Sequence, residues 1–159
     1  MPRKVTKSLQ RRINPDRKYN SVLVQRLINK SMLNGKKHVA ERAVYSALEA
    51  AAKKLKSEDP LEVFEKALKN ISPNYEVKSR RVGGANYQIP FPIQGHRQQH
   101  FAFMWLVQSA RDRTGMPYEQ RLAAEIVDAV NQTGAAFKKK EDTHRMAEAN
   151  RAFAHFARS

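Results

Sequence analysis

Apolar residues recur at helical spacing along most of the chain. After Asn20-Ser21, where ordered structure is expected to begin, Leu23, Leu27 and Ile28 mark a first helix, and Asn34-Gly35 supply a stop. From about Lys36 to Leu55, Val44, Leu48, Ala51 and Leu55 step by four, three and four, the stripe of a helix with one buried face. Asp59-Pro60-Leu61-Glu62 opens a third helix. Asp59 caps it, Pro60 occupies the first turn, and Glu62 can reach back to the cap amide. Leu61, Phe64, Leu68 and Ile71 form its buried face, and Pro73 ends it. A fourth helix, from about Arg97 to Arg111, is apolar on nearly every side between Phe101 and Val107 and is expected at the centre. A fifth turns Leu122, Ile126 and Val130 inward and ends near Gly134. The last is expected to run unbroken from about Ala136 to Ala157. At about 100° per residue, Lys140, His144, Arg151, His155 and Arg158 fall in one stripe, with Met146, Ala149, Phe153 and Phe156 opposite. That pattern predicts an apolar docking face and a basic outward face.

Residues 75–91 break the helical rhythm. Gly83-Gly84 can adopt the positive φ angles of a two-residue hairpin turn, which sets Val82 opposite Ala85, Arg81 opposite Asn86 and Arg80 opposite Tyr87. The expected architecture is therefore all-α, an irregular bundle of about six helices in one domain over residues 19–159, with one projecting β-hairpin. Residues 1–18 are read as a separate basic arm.

Composition narrows the partners. The 159 residues carry 30 Lys+Arg against 15 Asp+Glu, a formal net charge of +15. Such an excess cannot be paired internally and favours nucleic acid or an anionic membrane. No run approaches the ~18 apolar residues of a membrane span, and no apolar segment follows the basic start, so neither membrane insertion nor secretion is expected. The cytoplasm is the default location; a protein made inside an organelle would read the same. With no cysteine, disulfides and thiolate metal sites are excluded. The arm sets seven basic residues against the single Asp16. Its two readings are a solvated tail and a nucleic-acid arm, mobile when free.

Enzyme signatures are weak. Gly35-Lys36-Lys37 lacks the glycine spacing of a P-loop. It reads either as a helix N-terminus suited to phosphate or as a cap glycine before surface lysines. His96 and His100 have zinc-compatible spacing, but no third ligand is evident. Glu141 and Arg145 are placed as helical i,i+4 partners. At the hairpin tip, Arg80, Arg81 and Tyr87 combine charge with a stacking surface; Tyr87 can equally pack on the stem. A minor-groove DNA arm is the second reading of this ribbon, although the tip lacks the apolar wedge such arms insert.

Several motifs carry a resemblance that spans nearly the whole chain after the first dozen or so residues. They are Asn34-Gly35-Lys36-Lys37, the run Asp59 to Ala67, the hairpin segment Val77 to Ala85, and above all Lys139 to Phe156. In these the chain resembles the family of ribosomal protein seven of the small subunit, bacterial or organellar type. The resemblance implies a helical, non-catalytic protein without cofactor, metal or intrinsic homo-oligomer. It implies binding to the 3′ major domain of 16S-type ribosomal RNA, nucleation of head assembly, and a place at the subunit interface near E-site transfer RNA and exiting messenger RNA. Small-subunit proteins nine and eleven are implied neighbours. Carried onto this sequence, the ribosomal-RNA contacts are Arg3, Lys4, Arg11, Arg12, Arg17 and Lys18 in the arm, then Gly35, Lys36, Lys37, Lys78, Arg111, Arg113, Lys138, Lys139 and Lys140. The E-site surface is Arg80, Arg81, Gly83, Gly84, Asn86 and Tyr87, with His144, Arg145 and Arg151 from the last helix.

Overall fold

The computed structural model describes residues 12–158, with side chains through His155. Among these residues are α1 (Val22–Ser31), α2 (Lys37–Leu55), α3 (Pro60–Ile71), β1 (Tyr75–Val82), β2 (Ala85–Pro92), α4 (His96–Asp112), α5 (Tyr118–Val130) and α6 (Gly134–Ala149). A 3-10 segment, Arg151–Arg158, follows. The all-α bundle with one hairpin is thus the observed architecture.

The expected stripes mostly bury, except that in α1 Leu23 is only partly buried and Val24, not among the expected residues, is in the core. Val24, Leu27 and Ile28 of α1, Val44, Leu48 and Ala51 of α2, Phe64, Leu68 and Ile71 of α3, and Leu122 and Ile126 of α5 form one core. Leu55, Leu61 and Val130 pack at its margin. The helix α4 contributes Phe103, Trp105, Leu106 and Val107, but shares the centre with α5, which packs on α2, α3, α4 and α6. At α3, the Asp59 carboxylate accepts the Leu61 N–H at 2.8 Å, so the cap read from the sequence is formed.

The hairpin has the register expected, with Arg80 paired to Tyr87, Arg81 to Asn86 and Val82 to Ala85. Gly83 and Gly84 have φ of 57° and 91°, the left-handed pair that a tight two-residue turn requires. Ile89 and Pro90 are buried at the stem, whereas the tip is exposed. The ribbon backbone packs on α6 and the 3-10 segment.

Three expectations need correction. First, the ordered body reaches back past Asn20. Asp16 is only 3% exposed, and its carboxylate accepts the backbone N–H groups of Lys18, Tyr19 and Ser21 and the Tyr45 hydroxyl. Burial pushes this carboxyl up, but the four donors outweigh it and hold it below the ordinary carboxylate range.

Second, the last helix is not continuous. Asn150 ends α6, with its side-chain amide donating to the Met146 carbonyl at 2.8 Å in competition with the helical ladder. The chain then tightens into the 3-10 segment, where Phe153 meets Tyr87 of the hairpin at 5.1 Å between ring centroids.

Third, the docking face of α6 is the reverse of the one expected. Ala136 and Ala147 are buried, Lys140 and His144 are half-buried on the same side, and Met146 is 50% exposed. Lys140 Nζ donates to the Asn70 carbonyl at 2.6 Å, and the Asn74 N–H donates to His144 Nε2 at 3.0 Å. The polar pair docks because it satisfies backbone groups left over after α3. The side chains of Phe156 and Arg158 lie outside the described ones.

Candidate nucleic-acid interface

Two surfaces among the described residues gather basic side chains, and different elements build them. One is a cleft of about 810 Å³ bounded by the end of α1, the 33–36 connection, the first half of α2, the end of α4 and the start of α5. Lys36, Arg42, Arg111 and Arg121 line it, against one carboxylate, Glu119. Asn34 and Gly35 both take positive φ, which turns the chain sharply into α2. Lys36 caps that helix and Lys37 begins it, both exposed, with no acidic residue in the first turn. Two lysines thus reinforce the positive end of the helix dipole, an arrangement that favours phosphate. Lys37, itself half-exposed, lies 4.0 Å from Glu41, a loose contact of little energetic weight. Arg111 reaches the Ser31 carbonyl at 3.3 Å, and Tyr118 donates its hydroxyl proton to Ser31 at 2.8 Å. These bonds fix the corner where α1 meets the α4–α5 turn.

The second surface is the ribbon. Its root is fixed by Glu76, only 5% exposed. That carboxylate pairs with Lys78 at 2.6 Å and accepts two guanidinium bonds from Arg97 at 2.8 and 2.9 Å. Burial pushes Glu76 up; Lys78 and Arg97 outweigh it and lower it overall. Beyond this root, Arg80, Arg81, Gly83, Gly84 and Asn86 are exposed. Tyr87 is half-buried, its ring against Phe153 of the 3-10 segment, a contact that neither of its two readings named.

Several other candidate cations are paired within the protein. Arg113 pairs with Glu125, which is fully buried, and with Asp128. Burial lowers the Arg113 pKa, but the two carboxylates outweigh it and raise it overall. The second Glu125 oxygen accepts the Ala136 N–H at 2.8 Å, so this triad ties α5, the preceding turn and the start of α6 together. The Arg113 guanidinium is therefore committed inward. Lys139 lies 3.7 Å from Asp112, and Lys18 pairs with Glu49. Arg145 pairs with Asp142 at 2.5 Å, not with the expected Glu141. Burial, and then the Lys140 charge, lower the His144 pKa, and its Nε2 accepts the Asn74 N–H. Arg12, Arg17, Lys138 and Arg151 are exposed. Arg3, Lys4 and Arg11 lie outside the described residues.

Sequence reasoning missed Arg42, Arg97, Arg121, Glu76 and Glu125. Glu125 left a visible signal, since it sits between Leu122 and Ala129 on the buried stripe of α5, where a charge demands a partner. Arg42 and Arg121 left none, because the wall of the cleft forms only when α2, α4 and α5 meet. Among the described residues no group of three or more His, Cys, Asp or Glu side chains could hold a metal ion.

The family model described as ribosomal protein S7p/S5e matches residues 2–151. The small ribosomal subunit protein uS7 of Chloroflexus aggregans is 59% identical over 149 residues, 94% of either chain. That of Thermomicrobium roseum is 57% identical over 156 residues, 98% of this chain and 99% of the relative. The uS7 of Dictyoglomus thermophilum is 56% identical over 146 residues, 92% and 93% of the two chains.

Proposed function

This chain belongs to the ribosomal protein S7p/S5e family, structural constituents of the small subunit and not enzymes, and from that premise we propose a two-surface role for it. The cleft anchors the protein on the 3′ major domain of small-subunit ribosomal RNA and so nucleates assembly of the head. The ribbon and the adjoining 3-10 segment face E-site transfer RNA and exiting messenger RNA. Small-subunit proteins nine and eleven are the proposed neighbours, in a cytoplasmic ribosome. The observation that carries this reading is that one set of basic side chains lines the cleft of α1, α2, α4 and α5 while another lies on a ribbon whose backbone, among the described residues, packs on α6 and the 3-10 segment.

Affinity comes mainly from phosphate neutralisation, so binding weakens steeply with salt. Selectivity for RNA comes from folded shape, since an A-form helix hides its major-groove base edges. Lys36→Ala with Lys37→Ala is expected to weaken binding to the isolated head RNA and to reduce the slope of log affinity against log salt by about one per lysine. Unchanged affinity across the salt series refutes the anchoring role. In competition at equal salt, a preference for duplex DNA over the head RNA refutes the RNA reading itself.

A further inference from the structure

The cleft is not simply basic. Leu33 is 61% exposed and Val39 54% exposed, the two most exposed large apolar side chains described, and both line its wall beside Lys36, Arg42 and Arg111. A regular A-form helix meets a protein through phosphates and 2′-hydroxyls and has no apolar face to cover two aliphatic side chains. An unpaired nucleotide does, because its base presents flat apolar faces a few ångströms from a phosphate. The volume, about 810 Å³, is in the range of sites that enclose small ligands, roughly 300–1,000 Å³. Guanidinium planes such as those of Arg42 and Arg111 supply further stacking surface.

Resting on the ribosomal-RNA reading above, we propose that the cleft receives an unpaired nucleotide of the RNA. The base lies against Leu33 and Val39, and its flanking phosphates lie by Lys36, Arg42 and Arg111. Charge complementarity selects this occupant, because Glu119 is the one carboxylate in the lining. The cleft then reads the fold of the RNA by the position of an extruded base, while the lysines supply the salt-dependent part of the affinity.

The test uses the whole protein and the isolated 3′ major domain RNA, with Leu33→Ser and Val39→Ser combined. Both positions are exposed, so the melting temperature checks that the fold is kept. The expected result is about a tenfold loss of affinity with an unchanged salt slope, since apolar contact and not charge is removed. In chemical probing with single-strand-specific reagents, an unpaired nucleotide protected by the wild type should become reactive with the double variant. Wild-type affinity in the variant, or protections confined to paired segments, overturns the inference while leaving RNA anchoring intact. So does a variant that keeps its RNA affinity but loses a neighbouring protein, which would make a protein segment the occupant. Failure of the wild type to bind the RNA at all defeats the parent reading, and this one with it.

Discussion

Arg113 at the turn after α4 and Arg81 on the hairpin look alike in sequence, each in a short run rich in cations, yet they serve opposite ends. At the turn, Arg113 is drawn inward by Glu125 and Asp128, and Arg121 donates to the carbonyls of residues 111 and 113. Charge there joins α5 to α6. At the ribbon the only carboxylate is Glu76 at the root, and the residue paired with Arg81 is the neutral Asn86. For Arg113, the buried Glu125 carboxylate directs the guanidinium into the fold rather than toward solvent. Net charge alone cannot distinguish the two uses.

The largest expected effect breaks the brace. Arg113→Ala leaves Glu125 buried without its cation, and removing one partner of a buried pair costs about 3–5 kcal/mol. The lower part of that range is expected, because the Arg113 side chain is 29% exposed. Urea unfolding measures the loss. The RNA-binding salt slope of the folded fraction should stay at the wild-type value, unlike that of the Lys36 and Lys37 variant. A stability loss below about 1 kcal/mol together with a reduced slope would return Arg113 to the RNA-facing surface.

This contrast also shows what the sequence could and could not reveal. The hairpin was legible rung by rung, because Gly83-Gly84 fix the turn and a two-residue turn fixes the register. The cap at Asp59 was equally local. The face of α6 was not legible. Lys140 and His144 dock because they meet Asn70 and Asn74, each 70 positions away, and polarity alone argues for solvent. The break at Asn150 was hidden too, since the residues after it, Arg151 to Phe156, continue a plausible helical pattern. Within the cleft, Lys36 and Arg111 were individually visible as cations, but their meeting with Arg42, Leu33 and Val39 is a product of packing.

An intermediate effect probes the root of the ribbon. Glu76→Gln keeps the shape and removes the charge, and the expected loss is about 1–2 kcal/mol, reduced because Lys78 and Arg97 are each about half exposed. The sign with pH follows from the lowered Glu76 pKa. A carboxylate depressed in the folded state stabilises above its unfolded pKa, and that contribution is lost as pH falls through the folded value. The ribbon root should therefore stay fixed at neutral pH and loosen below the ordinary carboxylate range, a dependence that the glutamine variant lacks. The Arg97 Nε–H resonance, followed by NMR in an acid titration, reports it. An Arg97 signal that titrates identically in both proteins would show that Glu76 does not hold the root.

The smallest expected effect on the fold falls at the tip, where the contrast with the brace is sharpest. Deleting Arg81, Val82, Ala85 and Asn86 removes the last two rungs and leaves Gly83-Gly84 to join Arg80 directly to Tyr87. The Tyr87–Phe153 contact and the buried Ile89 stay in register, so stability should change by no more than about 0.5 kcal/mol. Affinity for the head RNA and entry into the small subunit should also hold, because the cleft is untouched. On the proposed reading, the expected loss is in E-site transfer RNA retention or reading-frame maintenance, through the shortened reach of the ribbon. If the shortened protein no longer enters the subunit, the tip is itself an anchor, and the division between a bracing body and a reaching ribbon fails.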